Sequence, residues 1–148
     1  MSTHTQICYH IVFSTKNRQP TLKSNRRNDL FRYIWGILKN RESHVHRING
    51  REDHLHILTS LHPSVRLADL VKDIKTGASV WIEKDCVFPM FAHWQDGHAA
   101  FTHSKQEIDR LIEYIKGQEE HHRRTSFVEE YRKLLEEAGI EFDERYML

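Results

Sequence analysis

His44-Val-His-Arg-Ile-Asn-Gly-Arg-Glu-Asp-His-Leu-His-Ile-Leu-Thr-Ser-Leu61 is the stretch that decides the fold. His44 to Asn49 and Glu52 to Leu61 both read as strands, and Asn49-Gly50 between them is a turn signal. Two strands so closely joined predict an antiparallel hairpin. Upstream, Gln6 to Ser14 reads as a strand, being mostly β-branched, aromatic or apolar. From about Lys23 to Asn40 the pattern turns helical: Leu30, Ile34 and Leu38 fall four apart, with Phe31 and Ile37 beside them. Downstream, His62-Pro-Ser64 opens a second helix with Ser64 as N-cap, and Leu67, Leu70, Val71, Ile74, Ala78 and Trp81 form one apolar face. Residues 87–103 hold Phe88, Met90, Phe91, Trp94 and Phe101 around Asp96-Gly97, which predicts one or two strands with a turn. Ser104 with Glu107 is a capping box for a third helix, whose stripe is Ile108, Leu111, Ile112 and Ile115. Ser126 with Glu129 repeats the device and opens a helix that ends near Gly139. The order predicts an α+β fold: a ferredoxin- or RRM-like βαββαβ antiparallel sheet with helices on one face and C-terminal helices.

Composition sets the bounds. The chain has 148 residues, 39% hydrophobic and 29% charged, which suits a single domain over residues 1–148. No run of about 18 apolar residues is present, so no membrane span is expected. The first residues lack a basic segment followed by an apolar one, so no secretory signal is expected either. Cys8 and Cys86 alone cannot make a disulfide scaffold, and with the points above they predict a cytoplasmic protein with free thiols. The net charge of +1 hides an asymmetry: residues 1–75 hold 13 Lys and Arg against 6 Asp and Glu, and residues 76–148 hold 9 against 15. Much of the excess lies between Lys16 and Arg51, and such a block can form a phosphate-binding face. Lys16, Arg18, Arg26, Arg27, Arg47 and Arg51 are its candidate nucleic-acid contacts.

Twelve histidines hint at metal or phosphate chemistry. His54-Leu-His56 lies inside a strand, where side chains alternate faces, so both imidazoles leave one face and could grip a divalent cation. Leu55 and Ile57 then point into the core. His44-Val-His46 is a second pair of the same spacing, without the Asp before it and the apolar residue after it. On the third helix, Tyr114 and Gln118 are four apart and share a flank beside the apolar stripe. A tyrosine there can serve as a nucleophile and an amide oxygen as a hard ligand; packing alone would also account for either residue.

These motifs together resemble the single-tyrosine HUH transposases of small bacterial insertion sequences and their domesticated, repeat-associated relatives. The resemblance runs through His10-Ile-Val-Phe-Ser-Thr-Lys-Asn-Arg18, Asp53-His-Leu-His-Ile-Leu58, Leu70-Val-Lys-Asp-Ile-Lys75 with Trp81-Ile82, Trp94-Gln-Asp-Gly97 with Phe101, and Tyr114-Ile-Lys-Gly-Gln118. It extends into the Phe127–Tyr146 stretch. One departure is His98, where the family commonly has Tyr. The resemblance implies cutting and rejoining of single-stranded DNA through a 5′-phosphotyrosine on Tyr114. It implies Mg²⁺ or Mn²⁺ held by His54, His56 and Gln118, a DNA hairpin near the element ends as partner, and a homodimer with active sites shared between subunits. Two other readings compete: a non-catalytic nucleic-acid-binding module on the same fold, and a two-histidine phosphoesterase of small molecules. The second usually needs paired His-x-Ser/Thr motifs, whereas His54 and His56 are followed at the second position by His56 and Leu58.

Overall fold

The computed structural model describes residues 2–118, 120 and 125–146. The elements run β1 (Cys8–Ser14), α1 (Ser24–Asn40), β2 (His44–Gly50), β3 (His54–Ser60), α2 (Leu67–Lys84), β4 (Ala99–His103), α3 (Ile108–Lys116) and α4 (Phe127–Glu137). The four strands form one sheet in the order β2-β3-β1-β4, with every pair antiparallel. This is the predicted βαββαβ arrangement.

Alternation on the two central strands divides the core. Ile11, Phe13, Leu55 and Ile57 look toward α1 and α2, where they meet Leu30, Ile34, Leu38, Leu70, Ile74 and Ala78. Each such aliphatic or aromatic side chain stabilises the fold by about 1.5–3 kcal/mol before chain entropy is counted. The intervening positions look the other way. Val12 packs with Phe127, Tyr131 and Leu135 of α4, and Cys8 and Leu58 pack with Leu111 and Ile115 of α3. The C-terminal helices therefore cover the second face, and β1 and β3 are buried on both sides. Both cysteines are free thiols, Cys8 buried and Cys86 exposed.

Two local expectations need correction, and a third is narrowed. Asn49 and Gly50 are not the hairpin turn; both belong to β2, and residues 51–53 make the connection. Gly50 is there for close approach: a Cβ would lie 2.3 Å from the His54 carbonyl oxygen. Ser64 does not cap α2, which starts three residues later behind Arg66; the Ser64 hydroxyl is taken by His62 Nδ1 at 2.6 Å. Residues 87–103 hold one strand, β4, and Trp94 makes only an isolated bridge to Thr15.

The Trp94–Gly97 segment is a clamp. Trp94 Nε1 donates to the Lys75 carbonyl at 3.1 Å, and Lys75 Nζ returns to the carbonyls of Gln95 (2.9 Å) and Gly97 (2.6 Å). Gln95 Oε1 accepts the Asn17 amide at 2.9 Å. The exit of β1 is thereby tied to α2. Ser126 Oγ caps α4 by accepting the Glu129 amide at 3.3 Å. Gly139, at φ 70°, closes α4 in a Schellman motif, with the Ile140 amide bonded to the Leu135 carbonyl at 3.0 Å.

Candidate functional site

The second sheet face carries the chemistry. His54 and His56, two apart on β3, both leave it, and both are fully buried beneath α3 and α4. In register with them stand Ser14 and Val12 of β1, while His10 pairs with Leu58. Asn49 of β2, opposite His56, anchors α3: its Nδ2 donates to the carbonyls of Ile115 (2.9 Å) and Lys116 (3.3 Å), which the helix end would otherwise leave unsatisfied. This holds the Tyr114 turn above the histidine pair.

Gln118 follows the break at Gly117 and so does not share an unbroken helix with Tyr114. The two nevertheless converge, and their meeting point is Glu130 of α4, only 2% exposed. Glu130 Oε1 lies 3.1 Å from His56 Nε2 and 3.5 Å from His54 Nε2. Glu130 Oε2 accepts Gln118 Nε2 at 2.9 Å and the Tyr114 hydroxyl. Gln118 Oε1 lies 3.3 Å from His54 Nε2. All four expected site residues therefore meet in one chain, around a carboxylate that motif reasoning missed. A signal for it existed: Glu130 occupies the apolar stripe of α4 between Phe127, Tyr131 and Leu134, where an unpaired carboxylate would be costly.

The far sides of both imidazoles are also held. His54 Nδ1 donates to Asp53 Oδ1 at 2.7 Å, and the His54 ring stacks on Phe127 at 4.0 Å and 12°. His56 Nδ1 shares a 2.8 Å hydrogen bond with His10 Nε2. Burial by itself would lower the His54 pKa, but the hydrogen bonds and charges of Asp53 and Glu130 outweigh it and raise the ring above its ordinary value. Burial, and then the facing charge of Glu130, push the Tyr114 phenol far above its usual range. His10 is held well below its ordinary value by burial, then by His56 and His103.

The donor atoms suit a divalent cation. One atom each from His54, His56 and Glu130 lies within 4.8 Å of the others, all three residues are buried, and Gln118 adds an oxygen beside them. Outer partners that orient both imidazoles are the usual companions of ligating histidines. Nitrogen with carboxylate and amide oxygen fits Mn²⁺, and also Mg²⁺.

His44 and His46 lie at the opposite end of β3, where His44 pairs with Ser60 and a bulge separates Val45 from Arg47. Their rings meet edge to face at 4.8 Å and 77°, and His46 Nε2 bonds the Ser60 hydroxyl at 2.8 Å. Neither joins the cluster. His121 and His122 lie outside the described residues.

Of the basic candidates, Lys16, Arg18, Arg27 and Arg51 gather at the sheet end that holds His54. The Thr15 amide bonds the Asp53 carbonyl at 2.9 Å, and Arg27 and Arg51 flank Glu52 at 3.7 and 3.5 Å. Arg26 is paired with Asp29 at 2.7 Å, and Arg47 stands exposed on β2 away from this end. A cavity of about 800 Å³ between β4, α3 and α4 reaches Tyr114; His10, Phe101, His103 and Arg110 line it. Among the described residues no helix is long and apolar enough to cross a membrane.

A four-stranded antiparallel sheet that sets a buried His-x-His pair beneath a helix-borne tyrosine defines the class of this fold and site. The chain belongs to the IS200-like transposase family: the family model described as Transposase IS200 like matches residues 3–118. Membership gives the chain a transposase role. Glu130 lies beyond the matched stretch. No curated protein matches the chain. Among solved structures, the fold is similar to that of a protein from Deinococcus radiodurans R1 assigned as a transposase, with a TM-score of 0.63 and 19% identity over 80% of this chain and 95% of that one. It is also similar to a REP-associated tyrosine transposase bound to a REP hairpin, with a TM-score of 0.61 and 15% identity over 82% of this chain and 74% of the other.

Proposed function

We propose that this transposase cuts and rejoins single-stranded DNA with Tyr114 as nucleophile, and that His54, His56, Glu130 and Gln118 hold a Mg²⁺ or Mn²⁺ ion beside it. The convergence of these side chains and the Tyr114 hydroxyl on one buried carboxylate carries the reading. The Tyr114 oxygen attacks the scissile phosphorus, the bond to the 3′ oxygen breaks, and a 5′-phosphotyrosine and a 3′-hydroxyl result. Reversal by a new 3′-hydroxyl rejoins DNA without an external energy source. A phenol needs help to do this. Here its proton already rests in a hydrogen bond to Glu130 Oε2, the base placed to receive it. When bound, the divalent ion would polarise a non-bridging phosphate oxygen and offset the Glu130 charge.

Lys16, Arg18, Arg27 and Arg51 would receive the phosphates of a strand arriving at the His54 end of the sheet. The hairpin bound by the REP-associated neighbour supports a DNA hairpin as substrate. The test is covalent capture. Labelled single strands from the DNA flanking the gene are mixed with protein and Mg²⁺ or Mn²⁺. The expected result is an SDS-resistant band that needs both the metal and Tyr114. A native-gel shift without that band would replace the enzyme by a binding module. Family resemblance adds a homodimer that shares its active sites. Mixing His54→Ala with Tyr114→Phe protein restores the band if the subunits exchange α3, and leaves it absent if each chain uses its own.

A further inference from the structure

We infer that His10 is the positioning residue of His56: its hydrogen bond fixes which ring nitrogen His56 turns toward a bound cation, and it couples the tautomers of the two rings. The inference rests on reading His54, His56 and Glu130 as a cation site. His10 sits on β1, fully buried, one strand over from His56. The two rings lie 21° from parallel with centroids 5.0 Å apart, and Nε2 of His10 meets Nδ1 of His56 edge to edge at 2.8 Å. The other nitrogen of each ring differs in kind. His56 Nε2 faces Glu130, whereas His10 Nδ1 is buried with no hydrogen-bond partner among the described residues.

A hydrogen bond between two neutral imidazoles needs one donor and one acceptor, so the pair has two arrangements. In the first, His56 Nε2–H donates to Glu130, and His56 Nδ1 accepts from His10 Nε2–H. This suits the cation-free site. In the second, His56 Nε2 offers its lone pair inward, Nδ1–H donates to His10 Nε2, and the His10 proton sits on Nδ1. Only the second can ligate. Each ring keeps one proton in both, so cation binding selects an arrangement without changing the charge of the pair. In the second arrangement His10 Nδ1, which has no hydrogen-bond partner among the described residues, carries the proton. His10 also lines the cavity that reaches Tyr114, so the relay ends beside the nucleophile.

Two measurements test this. Mn²⁺ affinity is read by electron paramagnetic resonance of the free ion for wild type, His54→Ala, His10→Phe and His10→Gln, each checked for folding by circular dichroism. His10→Phe fills the ring's space without a nitrogen, and should bind Mn²⁺ about 10–100-fold more weakly. His10→Gln, whose carboxamide oxygen can still accept from His56 Nδ1, should recover most of that loss. Imidazole ¹⁵N NMR of the unmodified protein with Mg²⁺ should show the proton on Nδ1 of both His10 and His56. A folded His10→Phe protein with wild-type Mn²⁺ affinity, while His54→Ala has lost it, overturns the role of His10 and leaves the cation site standing. A proton on His56 Nε2 in the Mg²⁺-loaded protein also overturns it. No Mn²⁺ binding by wild type removes both.

Discussion

Replacing Glu130 by Gln separates the two tasks assigned to this carboxylate. Its oxygens accept from Tyr114, from Gln118 at 2.9 Å and from His56 at 3.1 Å, and it is 2% exposed. Hydrogen bonds to a charged acceptor are worth about 1.5–3 kcal/mol against about 1 for neutral ones, so the three together lose about 3 kcal/mol. The new amide nitrogen also has no good place: at the Oε2 position it meets the Gln118 amide donor to donor, and at the Oε1 position it gives up the acceptor that faced His56. Against this, a buried carboxylate no longer needs to be desolvated. The net loss should be about 1–3 kcal/mol, which for a chain of 148 residues is about 3–10 °C in Tm. Cation binding gives the second readout. At a Mn²⁺ concentration a hundredfold above its Kd, the native state gains about 2.7 kcal/mol. A tenfold weaker site would lose about 1.4 kcal/mol of that gain. Thermal melts of both proteins with and without Mn²⁺ read both effects. A lower Tm with an unchanged Mn²⁺ shift would leave Glu130 structural and refute it as a ligand. An unchanged Tm and an unchanged shift would refute the whole account of the carboxylate.

Three further outcomes follow from the same geometry. Tyr114→Phe should abolish the protein–DNA adduct while keeping the Mn²⁺-induced Tm shift, with stability within about 2 kcal/mol because the hydroxyl's hydrogen bonding to Glu130 is lost; loss of the shift would place the phenol inside the cation site. The His54 pKa is raised on folding, so its contribution to stability is present below pH 6.5 and is lost as pH rises through the raised value. The proton also competes with the cation, so Mn²⁺ affinity should climb through that same pH. Asp53→Asn, which keeps an acceptor oxygen but removes the charge that favours the protonated ring, should move the climb to lower pH; calorimetric titrations across pH 5.5 to 8 that superimpose would refute the assignment. Gly50→Ala should lower stability by about 1–3 kcal/mol in urea unfolding, because its Cβ would meet the His54 carbonyl at 2.3 Å. An unchanged midpoint would show that the hairpin yields freely there.

Much of the fold was legible because its signals are periodic and local. Leu30, Ile34 and Leu38 mark α1, and all three are buried. Ser104 marks the single turn that leads into α3, and Ser126 marks the start of α4. Where the reading slipped, a local rule lost to packing. Asn49-Gly50 is a strong turn dipeptide, but the β3 backbone runs so close to residue 50 that glycine is needed inside the strand. Ser64 is a good N-cap residue, yet its hydroxyl is engaged by His62.

The candidate site divides in the same way. His54 and His56 could be paired from the sequence because period two puts them on one face wherever the strand lies. Helical spacing suggested that Tyr114 and Gln118 are neighbours, but α3 ends at Lys116 and the two meet at Glu130 of α4. Glu130, 74 residues from His56, could not be joined to them by any spacing rule, and neither could the partnership of His10 with His56 across 46 residues. The sequence by itself determined the element order and the shared face of the two histidines, since these depend on backbone periodicity alone. Only the tertiary structure decided that α3 and α4 cover the histidine face, because many small apolar contacts acting together, rather than any single motif, bring a carboxylate from the last helix between two imidazoles of a central strand.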